Sequence, residues 1–200
     1  MNEHNEEIEV KFVLDDLADM RQRVVELGAA LKAPRTYENN ITFDTEEGGL
    51  RQSGRLLRLR RDRRNVLTYK EPLAREDTDF KVRKEFEIEV SDFAQARSIM
   101  ERLGFAPSMR YEKYRETFSY HDAEILLDEL PVGNFMEIEA RRDEIRNITA
   151  ALGLDFGTRL RGSYGDILQA VCDAYDLPLC DLTFENFGHV AVDLHACHLM

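Results

Sequence analysis

The sequence predicts an α+β protein in which a many-stranded, mainly antiparallel sheet carries helices on one face. Three observations lead there. Short runs alternate charged and apolar residues with period two, as Glu7-Ile8-Glu9-Val10-Lys11-Phe12 does. Turn-forming groups separate most of these runs: Glu47-Gly48-Gly49, Asp62-Arg63-Arg64-Asn65, His121-Asp122 and Pro131-Val132-Gly133-Asn134. Two stretches of helical period interrupt them, and both stop at a glycine.

The elements follow in order. After the opening strand, Leu17, Met20, Val24 and Leu27 form one helical stripe, with Asp15 or Asp16 as its cap and Gly28 as its stop. Strands are expected at Tyr37 to Phe43, Arg55 to Arg61, Val66 to Lys70 and Lys81 to Val90. Phe93, Ala96, Met100 and Leu103 repeat the helical stripe, capped by Ser91 or Asp92 and stopped by Gly104. Further strands are expected at Tyr111 to Tyr120, Glu124 to Asp128 and Phe135 to Ala140. Helices follow over Asp143 to Ala151 and Gly162 to Tyr175. Beyond Pro178 no period is legible.

Order and spacing point to an internal duplication. Glu7-Ile8-Glu9-Val10 corresponds to Glu87-Ile88-Glu89-Val90, each leads into a matching helix, and a Tyr-Glu pair follows each helix at Tyr37-Glu38 and Tyr111-Glu112. Tyr37 and Tyr111 read as packing residues in equivalent places, and Cys172 as a small core residue.

Composition bounds the function. A formal net charge of -12 over 200 residues should repel nucleic acid and anionic membrane surfaces, so any anion site must be a local cluster of Arg and Lys. The polar, acidic N-terminus lacks the apolar core of a signal peptide, and no run is long and apolar enough to span a membrane. Cys172, Cys180 and Cys197 are odd in number and lack CxxC spacing, which suits a reducing cytoplasm. The late group His189, His195, Cys197 and His198 matches no established zinc spacing and reads as incidental.

Alternation collects the charges on one sheet surface. It carries Lys11, Arg58, Arg60, Lys70, Arg83, Lys113 and Arg115 beside Glu7, Glu9, Glu85, Glu87, Glu137 and Glu139. The helices have apolar stripes and belong on the other side. Two readings stay open. The charged surface is a solvated face laced with salt bridges, or the sheet curls with that face inward into a polar lumen. A lumen of mixed sign would pair oxygen ligands for Mg²⁺ or Mn²⁺ with guanidinium forks for phosphate, which suits a metal-chelated polyphosphate.

Several of these runs, taken in order, resemble the motifs of the CYTH superfamily, the triphosphate tunnel metalloenzymes. Glu7-x-Glu9-x-Lys11 resembles its ExExK signature, Leu57-Arg58-Leu59-Arg60 its LRxR strand and Thr68-Tyr69-Lys70 its lysine strand. Arg83-Lys84-Glu85-Phe86-Glu87 is similar to its RxExE strand, and Glu112-Lys113-Tyr114-Arg115 to its EKxR strand. Leu127-Asp128-Glu129 with Phe135-Met136-Glu137-Ile138-Glu139 is similar to its acidic ending, and Ser163-Tyr164 to its SY element. Gly162 stands where many relatives place Arg, with Arg161 one step back. The likeness runs from about Glu7 to about Leu168, so residues 1–176 are expected to form the domain and 177–200 a tail without assigned role.

The resemblance implies a closed antiparallel β-barrel of about eight strands, a tunnel with helices packed outside. It also implies activity on a small triphosphate with Mg²⁺ or Mn²⁺ as cofactor. Carried over by position, Glu7, Glu9, Asp128, Glu137 and Glu139 hold metal. Lys11, Arg58, Arg60, Lys70, Lys113 and Arg115 bind phosphate, and Arg83 joins them from the charged face. Glu7, Glu9 and Lys11 stand nearest the chemistry, while Glu85 and Glu87 support. Hydrolysis of inorganic, thiamine or nucleoside triphosphate is the leading expectation. Cyclisation of ATP and non-catalytic polyphosphate binding are the alternatives. The partner is then a small molecule, not nucleic acid or membrane, and a homodimer is compatible.

Overall fold

The computed structural model describes residues 6–73, 77–160, 162–178, 181–197 and 199; Arg161, Cys180 and His198 lie outside them. Eight strands form the frame: β1 (Glu6–Leu14), β2 (Ala30–Asp44), β3 (Leu56–Arg61), β4 (Asn65–Pro72), β5 (Lys81–Glu89), β6 (Ala106–Tyr120), β7 (Ala123–Leu130) and β8 (Gly133–Glu139). Every neighbouring pair is antiparallel, and the order β1-β5-β4-β3-β2-β6-β7-β8 returns to β1, closing a ring. Among the described residues, no helix is long and apolar enough to cross a membrane.

The duplication is legible in this ring. Helix α1 (Leu17–Glu26) follows β1 and α3 (Phe93–Arg102) follows β5. The strands before the helices pair with each other, and so do the strands after them, β2 and β6. Asp16 caps α1 by accepting from Ala18 N and Asp19 N, and Asp92 caps α3 by accepting from Gln95 N at 2.9 Å. Both helices end alike. Gly28 and Gly104 each take φ of 92°, and the amides of Ala29 and Phe105 reach back to Val24 O and Met100 O. Only glycine adopts that conformation without strain.

The two Tyr-Glu pairs are not equivalent, contrary to the sequence expectation. In the β2–β6 register Tyr37 stands opposite Tyr114, and Tyr111 opposite Asn40. Tyr37 is 41% exposed on the outer surface, whereas Tyr111 is buried and lines the interior. The cause is register: with a period of two, a shift of one residue exchanges the faces. Leu103 also departs from its stripe, standing 66% exposed at the end of α3.

Strands β2 and β6 begin earlier than expected, at Ala30 and Ala106, and each runs for fifteen residues. Pro34 falls where the β2–β6 register slips between Ala33 and Thr36, so its missing N–H disturbs no regular ladder position.

Helices pack on the outside of the ring. Met20 and Val24 of α1, with Ile145 and Ile148 of α4 (Arg142–Ala151), bury against Val10, Phe12, Ile125, Met136 and Ile138. Ala96 and Phe93 of α3 cover Ile41, Phe43, Leu57 and Leu59. The helix α2 (Gly49–Gln52) is a single turn held by Asp44, whose carboxylate accepts from the amides of Thr45, Leu50 and Arg51.

The chain after β8 closes one end. Strand β1 leaves β5 after Glu9, and Leu160 N then donates to Lys11 O at 2.7 Å. Strand β6 pairs with β7 only from Tyr114 onward, and Leu182 fills the edge before it, bonding Arg110 O and Glu112 N, both at 2.9 Å. Between these two seams runs α5 (Tyr164–Tyr175), capped by a Ser163–Asp166 box. It buries Tyr164, Ile167, Leu168 and Val171 against Tyr111, Leu130 and Phe135. The short helix α6 (Phe184–Phe187) follows, and Phe187, Leu194 and Cys197 join the same cluster. Residues 181–197 therefore pack as part of the wall.

Leu182 is fully buried and truncation leaves a cavity at the seam. Leu182→Ala is expected to cost about 2–5 kcal/mol of unfolding free energy, read from the urea midpoint; a loss under about 0.5 kcal/mol would show that the tail adds nothing to the fold.

Candidate functional site

With helices outside, alternation turns the charged faces of the strands into the ring. A cavity of about 1340 Å³ is lined by Glu7, Glu9, Lys11, Arg58, Arg60, Lys70, Arg83, Lys113, Arg115, Glu85, Glu87, Glu137 and Glu139. The structure thus brings together every site residue expected from the sequence except Asp128. That residue lies fully buried in the wall beneath Lys113 and Arg115.

The charges sort into three groups. In the first, single ligand oxygens of Glu7, Glu9 and Glu139 lie within 4.8 Å of one another, the one such acidic group among the described residues. Lys70 Nζ donates to Glu7 Oε2 at 2.5 Å and pairs with Glu85 at 3.1 Å, while Lys81 Nζ donates to Glu9 Oε1 at 2.5 Å. Three converging carboxylates are hard oxygen donors, the set that suits Mg²⁺ or Mn²⁺.

The second group sits under α5. Asp128 accepts from Lys113 Nζ at 2.8 Å, from Arg115 through a two-pronged contact at 2.6 and 2.5 Å, and from the Tyr164 hydroxyl at 2.5 Å. Glu137 pairs with Lys11 and with Arg115. The Tyr164 ring lies 4.3 Å from Lys11 Nζ and 4.8 Å from Lys113 Nζ. Asp128 and Glu137, both expected as metal ligands, are thus engaged with cations in this arrangement.

In the third group, Arg58 donates to the Thr68 hydroxyl at 3.1 Å and the Tyr111 hydroxyl at 3.2 Å, and pairs with Glu87 at 3.4 Å. Arg60 pairs with Asp62 at 3.2 Å, and Arg83 donates to Gly54 O. Glu38 and Asn40 add polarity from β2, and buried Glu38 Oε2 and both Asn40 amide atoms lack hydrogen-bond partners.

The electrostatics follow from enclosure. Burial opposes ionisation of Glu9, but the ammoniums of Lys81 and Lys11 outweigh it and bring its pKa to about 2. Burial likewise opposes the charged forms of Lys11, Arg115, Asp128 and Glu137, and in each the opposite charges beside it prevail. Glu139 and Glu85 go the other way. Burial, then the carboxylates of Glu7 and Glu9, push Glu139 up to about 8. Glu85 is raised to about 7, first by burial and then by Glu7 and Glu87, against the pull of Lys70.

Several residues of the cavity escaped the sequence reading. Lys81 shares parity with Arg83, Glu85 and Glu87, so alternation alone contains its signal. Glu38 alternates with outward Tyr37 in the same way. The contact of Tyr164 with Asp128 has no local signal, because 36 residues separate them. The zinc reading of the late histidines gains nothing among the described residues. His195 pairs with Asp15 at 2.7 Å, and Cys197 Sγ lies 3.5 Å from Asp193 O.

Glu139 yields a signed prediction. The unfolded chain releases this proton near 4.5, whereas the folded chain keeps it up to about 8. The unfolded state therefore gains as pH rises through that window, and stability falls until it levels off above 8. In chelator, Glu139→Gln should match wild type near pH 4.5 and exceed it by at least about 1 kcal/mol near pH 8. Parallel pH profiles from urea unfolding would contradict the raised value.

A family model described as the CYTH domain matches residues 5–163. No curated protein matches. Among solved structures, a candidate adenylate cyclase of Vibrio parahaemolyticus is similar at TM-score 0.74 and 21% identity, over 82% of this chain and 98% of that one. The PH1012 protein of Pyrococcus horikoshii gives 0.68 and 26%, over 79% and 96%. A candidate adenylyl cyclase of Hippeastrum, described as having a dominant triphosphatase activity, gives 0.52 and 19%, over 74% and 88%. With the motif strands in one ring and the family model spanning most of the sequence, the chain belongs to the CYTH family.

Proposed function

We propose that this chain is a metal-dependent triphosphatase that hydrolyses a small triphosphate inside a tunnel-like β-barrel. The observation that carries the proposal is the placement of an acidic metal-type cluster, Glu7, Glu9 and Glu139, in the same cavity as Lys11, Arg58, Arg60, Lys70, Arg83, Lys113 and Arg115. Pure anion binding would need the cations alone.

The side chains divide the work. A triphosphate enters as a concentrated negative charge, and cations already fixed in the cavity wall offset it with little reorganisation. The Arg58 guanidinium, anchored on Thr68 and Tyr111, presents a planar donor set that grips two phosphate oxygens at once. Lys70 and Lys11 contribute point charges nearer the carboxylates. Glu7, Glu9 and Glu139 are the residues that would hold a divalent ion, which would supply Lewis-acid stabilisation of phosphate charge and a more acidic water. Asp128 and Glu137 fix Arg115, Lys113 and Lys11 in place.

Cyclisation of ATP is the second reading, and the name of the Vibrio structure favours it, whereas the Hippeastrum protein is described as having a dominant triphosphatase activity. The lining supports hydrolysis instead. Among the described residues, its inward aromatic side chains, Tyr111 and Tyr164, are 5% and 8% exposed, so neither offers an open face on which an adenine could stack.

The test is product analysis with Mg²⁺ or Mn²⁺ on inorganic triphosphate, thiamine triphosphate and ATP. Orthophosphate release abolished by chelator is expected; cyclic AMP and pyrophosphate from ATP would overturn hydrolysis in favour of cyclisation. Metal-independent binding without turnover would leave a binding module. Glu9→Ala should lower metal-dependent turnover by about 100-fold or more, and Lys70→Ala should raise KM by about tenfold at saturating metal. Wild-type kinetics in both variants would reduce the charged interior to a structural salt-bridge network.

A further inference from the structure

Lys81 is a cation of the cavity wall that lies outside the motif residues. It opens β5 and faces inward with Arg83, Glu85 and Glu87, directly opposite Glu9 in the β1–β5 register. Its ammonium lies 2.5 Å from Glu9 Oε1, and the two side chains differ in depth, at 20% exposure for Lys81 and 7% for Glu9. The Lys81 side chain is therefore the more open of the pair. Lys70 stands to Glu7 as Lys81 stands to Glu9, but Lys70 also reaches Glu85. Two of the three clustered carboxylates thus carry an ammonium, and among the described residues Glu139 has no ion pair.

We propose that Lys81 is a further substrate-binding residue that acts by exchanging partners. Its ammonium leaves Glu9 when a divalent cation takes that carboxylate, and then binds a phosphate oxygen of the same metal–triphosphate complex. The inference rests on the proposed function and names an additional residue and its behaviour.

The reasons are electrostatic and steric. An ammonium and a divalent cation on one carboxylate repel each other strongly at low dielectric. A metal–triphosphate complex still carries net negative charge, so a displaced ammonium finds a new partner beside the old one. Lysine suits the exchange: its compact charge rides on four rotatable methylenes and needs no fixed donor fork. Arg115 could not do the same, since Asp128 and Glu137 hold it from two sides.

The test uses two equilibrium titrations by calorimetry: Mn²⁺ alone, and the non-hydrolysable imidotriphosphate at saturating Mn²⁺. Lys81→Met should bind Mn²⁺ about tenfold more tightly and imidotriphosphate about tenfold more weakly. Lys81→Arg, which keeps the charge but not the compact ammonium, should shift both affinities in the same directions as Lys81→Met and by less. Lys81→Gln repeats the charge deletion with a polar terminus, in case the Met variant folds poorly. The opposite signs are the signature. Unchanged affinities would overturn the proposal and make Lys81 a wall counter-ion. Weakening of both ligands would also overturn it, showing a purely structural role. If Lys70→Met loses imidotriphosphate while Lys81→Met and Lys81→Gln do not, this inference fails and the proposed function stands. A wild-type chain that binds neither Mn²⁺ nor imidotriphosphate overturns both.

Discussion

Charge confined inside a closed ring must be balanced inside that ring, and the rest of the structure follows from this constraint. Strand alternation turns a carboxylate or a cation inward at nearly every second position of β1, β3, β5 and β8. A charge left unpaired there at low dielectric costs several kcal/mol, unless the group keeps its proton, as Glu139 does up to about 8. The wall answers with cross-strand pairing: Lys70 with Glu7, Lys81 with Glu9, Lys11 with Glu137, Arg115 with Asp128. The molecule as a whole carries -12, yet its interior mixes both signs closely.

The same constraint gives the outside its form. A ring with a polar interior has no apolar core of its own, so its hydrophobic burial must come from the outer faces of the strands. Helices α1, α3 and α4 supply it. At one end, α5 and the chain beyond it close the seams where β1 parts from β5 and β6 from β7. This closure also seats Tyr164 against Asp128, Lys11 and Lys113, so the end wall and the charged interior are one network. Glu139 stands apart from that network: among the described residues it has no ion pair, and burial with the carboxylates of Glu7 and Glu9 holds its proton.

Much of the architecture was legible because strand geometry is local. The alternations at Glu7 to Phe12 and Leu56 to Arg61 fixed which side chains share a face, and Gly28 and Gly104 fixed where two helices stop. Other features were not legible. The early starts of β2 and β6 depend on pairing with each other, which accommodates Pro34 at a register slip. The equivalence of Tyr37 and Tyr111 failed because the register between the repeats is set by the whole ring. Residues 181–197 showed no period because they pack piecewise against seams and a helix, through isolated anchors such as Leu182 and Phe187.

By itself, then, the sequence determined the eight strands, though not where β2 and β6 begin, the four longer helices, the charged face, the residue types of the site and, through ordered motifs, the family. These are properties of period and spacing along the chain. Only the tertiary structure decided which charges meet. It drew Asp128 and Glu137 into cation pairs, left Glu7, Glu9 and Glu139 converging, and placed Lys81 on Glu9. Ion-pair partners are chosen by ring order and register between strands up to 126 residues apart, and no local pattern encodes a distance across a closed sheet.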